Sequence, residues 1–183
     1  MYALSLDLST TVCGYGIFLI ETKQLLKLDF YKFKKDTLVD RGFELAEFLK
    51  ILCDTQQDIK KVVIEERLKS FRAGGTNAEA MLKTAQLNFL GQYLCKELGL
   101  EVSVINVQTA RKLAYDNFHK VARATKAKNK ELAFEFVKKE LGESWFPKKI
   151  MKSGARKGEE VFIDEAMDMS DAYILGKAAL VQL

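Results

Sequence analysis

Histidine occurs once in these 183 residues, proline once and cysteine three times. A single His119 excludes a histidine-rich metal centre and argues against a Ser-His-Asp triad, so a metal here would have to be held by carboxylates. That makes it a hard cation, magnesium or manganese. Cys13, Cys53 and Cys95 are odd in number, far apart and set in apolar-periodic segments, the pattern of buried thiols and not of a disulfide or zinc set. No apolar run approaches the roughly 18 to 20 residues that span a bilayer, so no membrane partner is expected. Met1 to Asp7 has neither a basic start nor a cleavable apolar segment, and the expected location is the cytoplasm of a bacterium or, if phage-encoded, of its host. With 48% hydrophobic residues and 11 glycines, the chain is too apolar for disorder and too glycine-poor for a fibrous repeat. Its length predicts one domain over residues 1–183, which argues against an enzyme built around a two-domain cleft. The charge excess is small, 29 Lys+Arg against 25 Asp+Glu for a net +4, so placement matters more than the total.

Two short runs rich in β-branched and aromatic residues, Tyr2 to Leu8 and Cys13 to Ile20, flank the turn-like Ser9-Thr10-Thr11 and predict a β-hairpin. Leu25 to Phe33 alternates apolar and polar residues, which predicts a third antiparallel strand. Apolar residues at Leu38, Phe43, Leu45, Phe48, Leu49 and Leu52 have helical spacing. The run Lys61 to Glu65 reads as a buried central strand ending on a carboxylate. After a glycine-containing loop, Lys69 to Thr76, comes a long helix from Asn77 to Leu98 with Leu82, Ala85, Phe89, Leu90, Tyr93 and Leu94 on its apolar, core-facing side. A fifth strand from Glu101 to Val107 follows. Helices near Thr109 to Asn117 and Lys130 to Leu141, a basic loop from Pro147 to Gly158, and a last helix from about Asp164 complete the chain.

The acidic residues are the informative ones. Asp7 stands near the end of the first strand between Leu6 and Leu8, so its side chain points opposite to theirs. Glu65 ends the fourth strand. In the last helix Asp164, Asp168 and Asp171 fall at i, i+4 and i+7, on one face where carboxylates repel unless a cation relieves them. Asp164 reads as an N-cap. Asp168 and Asp171 lie too deep in the helix for that.

The order L-D-L-S-T-T-x-x-G-Y-G, then V-I-E-E, then N-A-E-A-M-L-K-T-A-Q, then D-M-S-D-A-Y-I-L resembles the RuvC family of Holliday junction resolvases, from Tyr2 to about Ala179. The resemblance implies an α/β fold of the ribonuclease H type, a mixed five-stranded sheet flanked by helices, which agrees with the predicted element order. It also implies that Asp7, Glu65, Asp168 and Asp171 are the catalytic carboxylates. Four such groups can hold two divalent cations, Mg²⁺ or Mn²⁺, about 3.5 to 4 Å apart for phosphodiester hydrolysis. The family acts as a homodimer on four-way and other branched DNA, with the Asn77 to Leu98 helix as its dimer surface, and no small-molecule cofactor is implied. The chain departs from the compact bacterial form in its basic insert from Pro147 to Gly158 and in carrying Leu68 where an aromatic helps open the junction, with Phe71 just beyond. A phage-encoded or divergent member is the better comparison.

Contacts to phosphate need cations, and the stretch Arg111, Lys112, Lys120, Arg123, Lys126, Lys128 and Lys130 is opposed only by Asp116. Arg67, Lys69 and Arg72 beside Glu65, and the late basic loop, extend the same track. By resemblance, the family's two functional lysines correspond to positions near Arg111 and near Lys128 or Lys130. Among competing readings, Asp7-Leu8-Ser9-Thr10-Thr11 also looks like the phosphate-binding turn of sugar kinases and actin-like ATPases, which length disfavours. Ribonuclease H, acting on RNA-DNA hybrids, is the nearer alternative, and a non-catalytic nucleic-acid-binding relative would have lost the carboxylates.

Overall fold

A computed structural model of the chain describes residues 1–66, 78–125 and 128–182. Strands β1 (Tyr2–Leu8), β2 (Val12–Leu19) and β3 (Gln24–Lys32) form an antiparallel meander, and β4 (Ile59–Glu65) and β5 (Glu101–Ile105) add in parallel on the other side of β1. The strand order is β3-β2-β1-β4-β5. Ser9 closes the first hairpin: its Oγ accepts from the backbone N–H of Val12 at 3.0 Å and donates to the Val12 carbonyl at 2.8 Å.

Helix α1 (Leu38–Thr55) is capped by Thr37, whose side chain accepts from the Asp40 N–H. It packs with α2 (Ala78–Glu97) on one face of the sheet. Leu4, Leu6 and Leu8 of β1 point into this layer against Leu45, Leu49 and Leu87. The opposite face carries α3 (Val107–Ala114), α5 (Asn129–Leu141) and α6 (Glu165–Gln182), with Ala3, Phe18 and Val63 beneath them. Glu140 of α5 clasps this layer: it accepts from the hydroxyls of Tyr115 (2.6 Å) and Tyr173 (3.0 Å) and from the Lys177 ammonium (2.8 Å).

Three expectations need correction. The predicted core face of α2 is rotated. Leu87, Gly91 and Cys95 are buried and Leu90 and Leu94 half-buried, whereas Leu82, Phe89 and Tyr93 are 59, 72 and 51% exposed. Large apolar residues occur on both sides of this helix, so periodicity alone chose the wrong one. Phe43 of α1 is likewise exposed. A second helix, α4 (Phe118–Thr125), follows α3 where only one was expected; its sole buried residue is Phe118, too little to mark a periodic stripe. Finally, the basic loop contains a small hairpin, β6 (Lys148–Ile150) with β7 (Glu160–Phe162). The cysteines follow expectation, free and at least half-buried, and burial pushes the Cys95 thiol up to about 12. The predicted loop Lys69 to Thr76 lies outside the described residues. Among the described residues no helix is long and apolar enough to cross a membrane.

Candidate active site

Asp7 is directly opposite Gly14 across the β1–β2 ladder, so both face the α6 layer. The parallel register pairs Leu6 with Ile64 and Ser5 with Val63, which brings Glu65, at the end of β4, beside Asp7 on that same face. This is the carboxyl end of two adjacent parallel strands, the edge where open α/β sheets place their sites. Helix α6 completes the set. A Cβ added to Gly14 would stand 2.3 Å from the Asp168 carbonyl oxygen, and one added to Gly176 would stand 2.1 Å from the Phe18 ring. Absent side chains therefore let the helix backbone lie directly on the strands and carry Asp168 and Asp171 to Asp7. Asp164 is exposed just ahead of α6, and its side chain makes no capping hydrogen bond among the described residues.

The electrostatics follow from this crowding. Burial, then the charges of Asp171 and Glu65, with a smaller push from Asp168, raise the Asp7 carboxyl well above its ordinary range against the pull of Lys130. Asp171 is raised by burial, with the Arg111 guanidinium opposing. Arg111 is 5% exposed and donates from Nη2 to Asp171 Oδ1 at 2.8 Å, with its guanidinium 5.6 Å from the Phe118 ring centroid. Its Nε is buried with no hydrogen-bond partner among the described residues. Lys130 donates to Asp168 Oδ1 at 2.5 Å. Burial works against its charge, but Asp7, Asp168 and Asp171 outweigh that and hold its pKa above the ordinary lysine value.

Of the basic stretch expected to contact phosphate, Arg111 and Lys130 thus separate from the rest. Arg111 is an internal counter-ion, and of Lys128 and Lys130 only the latter reaches the acidic cluster, since Lys128 pairs with Glu131. Lys112, Lys120 and Arg123 are exposed, the last two opposite the buried Phe118 of α4. Arg67, Lys69, Phe71, Arg72 and Lys126 lie outside the described residues.

Two positioning residues escaped the sequence reading. Gly14 was legible as part of G-Y-G but not as the gap that seats α6. Asn88, buried in α2, donates from Nδ2 to the Glu65 carbonyl at 2.9 Å and accepts from Gln92 Nε2 at 2.7 Å, pinning the end of β4. Its signal was an amide among the residues that the helix turns inward.

Among the described residues no three His, Cys, Asp or Glu side chains stand close enough to grip one metal; the positive charge at the cluster is that of Arg111 and Lys130. The donor chemistry nonetheless fits a hard divalent cation: all four groups are carboxylates, and burial, with the charges of the other three, holds Asp7 toward its protonated form.

No protein-family model and no curated protein matches the sequence. Solved structures do. The fold superimposes on Thermus thermophilus RuvC in complex with a Holliday junction substrate, with a TM-score of 0.62 and 14% identity over 100% of this chain and 94% of that one. A second structure of T. thermophilus RuvC gives 0.61 and 16% over 100% and 95%. The yeast mitochondrial Holliday junction resolvase Ydc2 gives 0.57 and 14% over 97% and 77%. The chain therefore has the ribonuclease H-like fold of RuvC along its whole length.

Proposed function

We propose that this protein is a metal-dependent endonuclease that nicks four-way junctions and other branched DNA, acting as a symmetric dimer. The observation that carries the reading is the meeting of Asp7, Glu65, Asp168 and Asp171 at the carboxyl ends of β1 and β4, on a fold shared over its full length with junction resolvases.

Asp7, central and buried, would hold the divalent cations together with Glu65, Asp168 and Asp171. Bound there, Mg²⁺ or Mn²⁺ would polarise the scissile phosphate and activate water. The chain's own groups do the rest. Arg111 holds Asp171 in place from inside the fold and offsets its charge. Lys130 pairs with Asp168, and its half-exposed side chain can turn outward to a phosphate oxygen. Lys112, Lys120 and Arg123 continue a cationic path for the strand.

The dimer reading rests on Leu82, Phe89 and Tyr93, large apolar side chains exposed along one side of α2. Neighbouring α1, joined to α2 where Gly42 meets Leu90, exposes Val39 and Phe43 as well. An isologous contact through this surface would bury the same patch on both copies and leave the acidic ends of both sheets open to two strands.

The deciding experiment offers an immobile four-way junction, linear duplex and an RNA-DNA hybrid to the purified protein with Mg²⁺, Mn²⁺ or EDTA, beside Asp7→Asn and Glu65→Gln. Paired, metal-dependent nicks confined to the junction are expected, with both variants slower by at least about a hundredfold, the size of several kcal/mol of lost charge stabilisation. Cleavage of the hybrid alone would transfer the protein to the ribonucleases H. Junction binding without cleavage under every metal would overturn the nuclease.

A further inference from the structure

The β6–β7 hairpin is an addition to the sheet-and-helix body, and its construction separates a rooted base from a charged tip. At the base, Phe146 and Phe162 pack on Phe134 of α5 with ring centroids 5.0 and 5.1 Å away. Lys148 is committed there, bridged to Glu143 and Glu160 and lying over the Phe162 ring. Toward the tip, the Met151 N–H donates to the Glu159 carbonyl and the Gly158 N–H to the Met151 carbonyl, so the two limbs stay paired past the last strand residue. Gly154 and Gly158 turn the chain at φ of 81° and 88°, a backbone region that glycine enters without cost.

The charges sort the same way. Arg156 is used locally, its Nε 2.6 Å from Glu159. Lys149, Lys152 and Lys157 are exposed, and Lys152 and Lys157 form no ion pair among the described residues. An ordered tip that keeps cations unpaired is arranged for an anion outside the chain. Its location narrows the choice. Only Ile163 and Asp164 separate β7 from α6, and Lys149 stands opposite Val161 across the hairpin. Lys149 therefore lies at the base of the hairpin, close to the start of the helix that carries Asp168. A row of cations that begins beside the acidic cluster and runs outward matches a polyanion that passes through the cluster and continues.

We propose that the hairpin is a phosphate-gripping arm: Lys152 and Lys157 contact the backbone of a DNA duplex arm leading away from the phosphate held at Asp7, with Lys149 between the two. The proposal rests on the reading of the acidic cluster as a DNA site, but not on the cleavage chemistry.

The test compares wild type with Lys152→Ala/Lys157→Ala and with a control of equal charge loss, Lys23→Ala/Lys60→Ala, far from the hairpin in the β2–β3 turn and at the start of β4. Binding to a fluorescent four-way junction is titrated in EDTA over a range of salt, and single-turnover cleavage is followed in Mg²⁺ at saturating protein. The tip variant is expected to weaken binding about tenfold near physiological salt and to flatten the slope of log K against log[salt] by about 1.5 to 2, the loss of two phosphate contacts. Cleavage at saturation should stay within about twofold, and the control should behave as wild type. Equal affinity and slope for tip and control variants would overturn the arm while leaving the nuclease intact. A wild type that cuts nothing, with affinity still lost only in the tip variant, would uphold the arm and overturn the nuclease. A wild type that binds no DNA would overturn both.

Discussion

Strand β1 has two faces built on different terms. Toward α1 and α2 it presents Leu4, Leu6 and Leu8, bulky, wholly buried and interlocked with leucines from the helices. Toward α6 it presents Ala3, Ser5 and Asp7, next to the side-chain-free Gly14 and Gly16 of β2. The first face holds the helices off the strand with leucine side chains and derives its stability from apolar burial. The second brings a helix backbone onto the strands, and what it gains is the placement of charged groups. Stability and placement are thus divided between the two sides of one seven-residue strand.

Damage to each face should have a different signature. Leu4→Ala, on the leucine side and away from Asp7, should cost about 2 to 5 kcal/mol in denaturant unfolding. Its folded fraction should cleave a junction at close to the wild-type rate; a comparable fall in rate would mean that the faces are not separable. Gly14→Ala should do the reverse. The new methyl must push Asp168 and α6 outward, and a displacement on the order of 1 Å can cost about a hundredfold in rate. Near-normal cleavage by a folded Gly14→Ala protein would show that α6 can be seated another way.

The smallest effect concerns the clasp over α6. Burial opposes the Glu140 charge, but Lys177, Tyr115 and Tyr173 outweigh it and hold its pKa below the ordinary glutamate value. A carboxylate lowered on folding contributes stability above its unfolded pKa and loses it as pH falls through the folded one. Glu140→Gln should therefore lower the melting temperature slightly at neutral pH and flatten its decline below about pH 4.5, relative to wild type. Melting curves that keep the same spacing from pH 7 to pH 3 would remove Glu140 from the account.

Much of this division was visible in the residues. Alternation around Asp7, the apolar run into Glu65 and the Asp168–Asp171 spacing place the carboxylates correctly, because strands and helices impose periods of two and 3.6 on any side chain they carry. The facing of α2 was not visible. Leu82, Phe89 and Tyr93 lie on its exposed side, and its fully buried residues are Leu87, Asn88, Gly91 and Cys95, of which only Leu87 is a large apolar residue. The roles of Arg111 and Lys130 were also hidden. Both belong to one basic run, and only the fold distinguishes a cation turned inward from its neighbours on the surface.

The pairing of β1 with β4 has a consequence of a different kind. Side chains alternate along a strand, so a β1 misaligned by one residue would turn Asp7 into the leucine layer and leave Leu6 or Leu8 facing α6. The cluster then lacks Asp7, its central carboxylate. On the nuclease reading, a newly made or misfolded chain is inert toward the cell's own DNA, and cutting competence arrives only with the last correct alignment of the sheet. On that reading, folding fidelity is itself the safety catch.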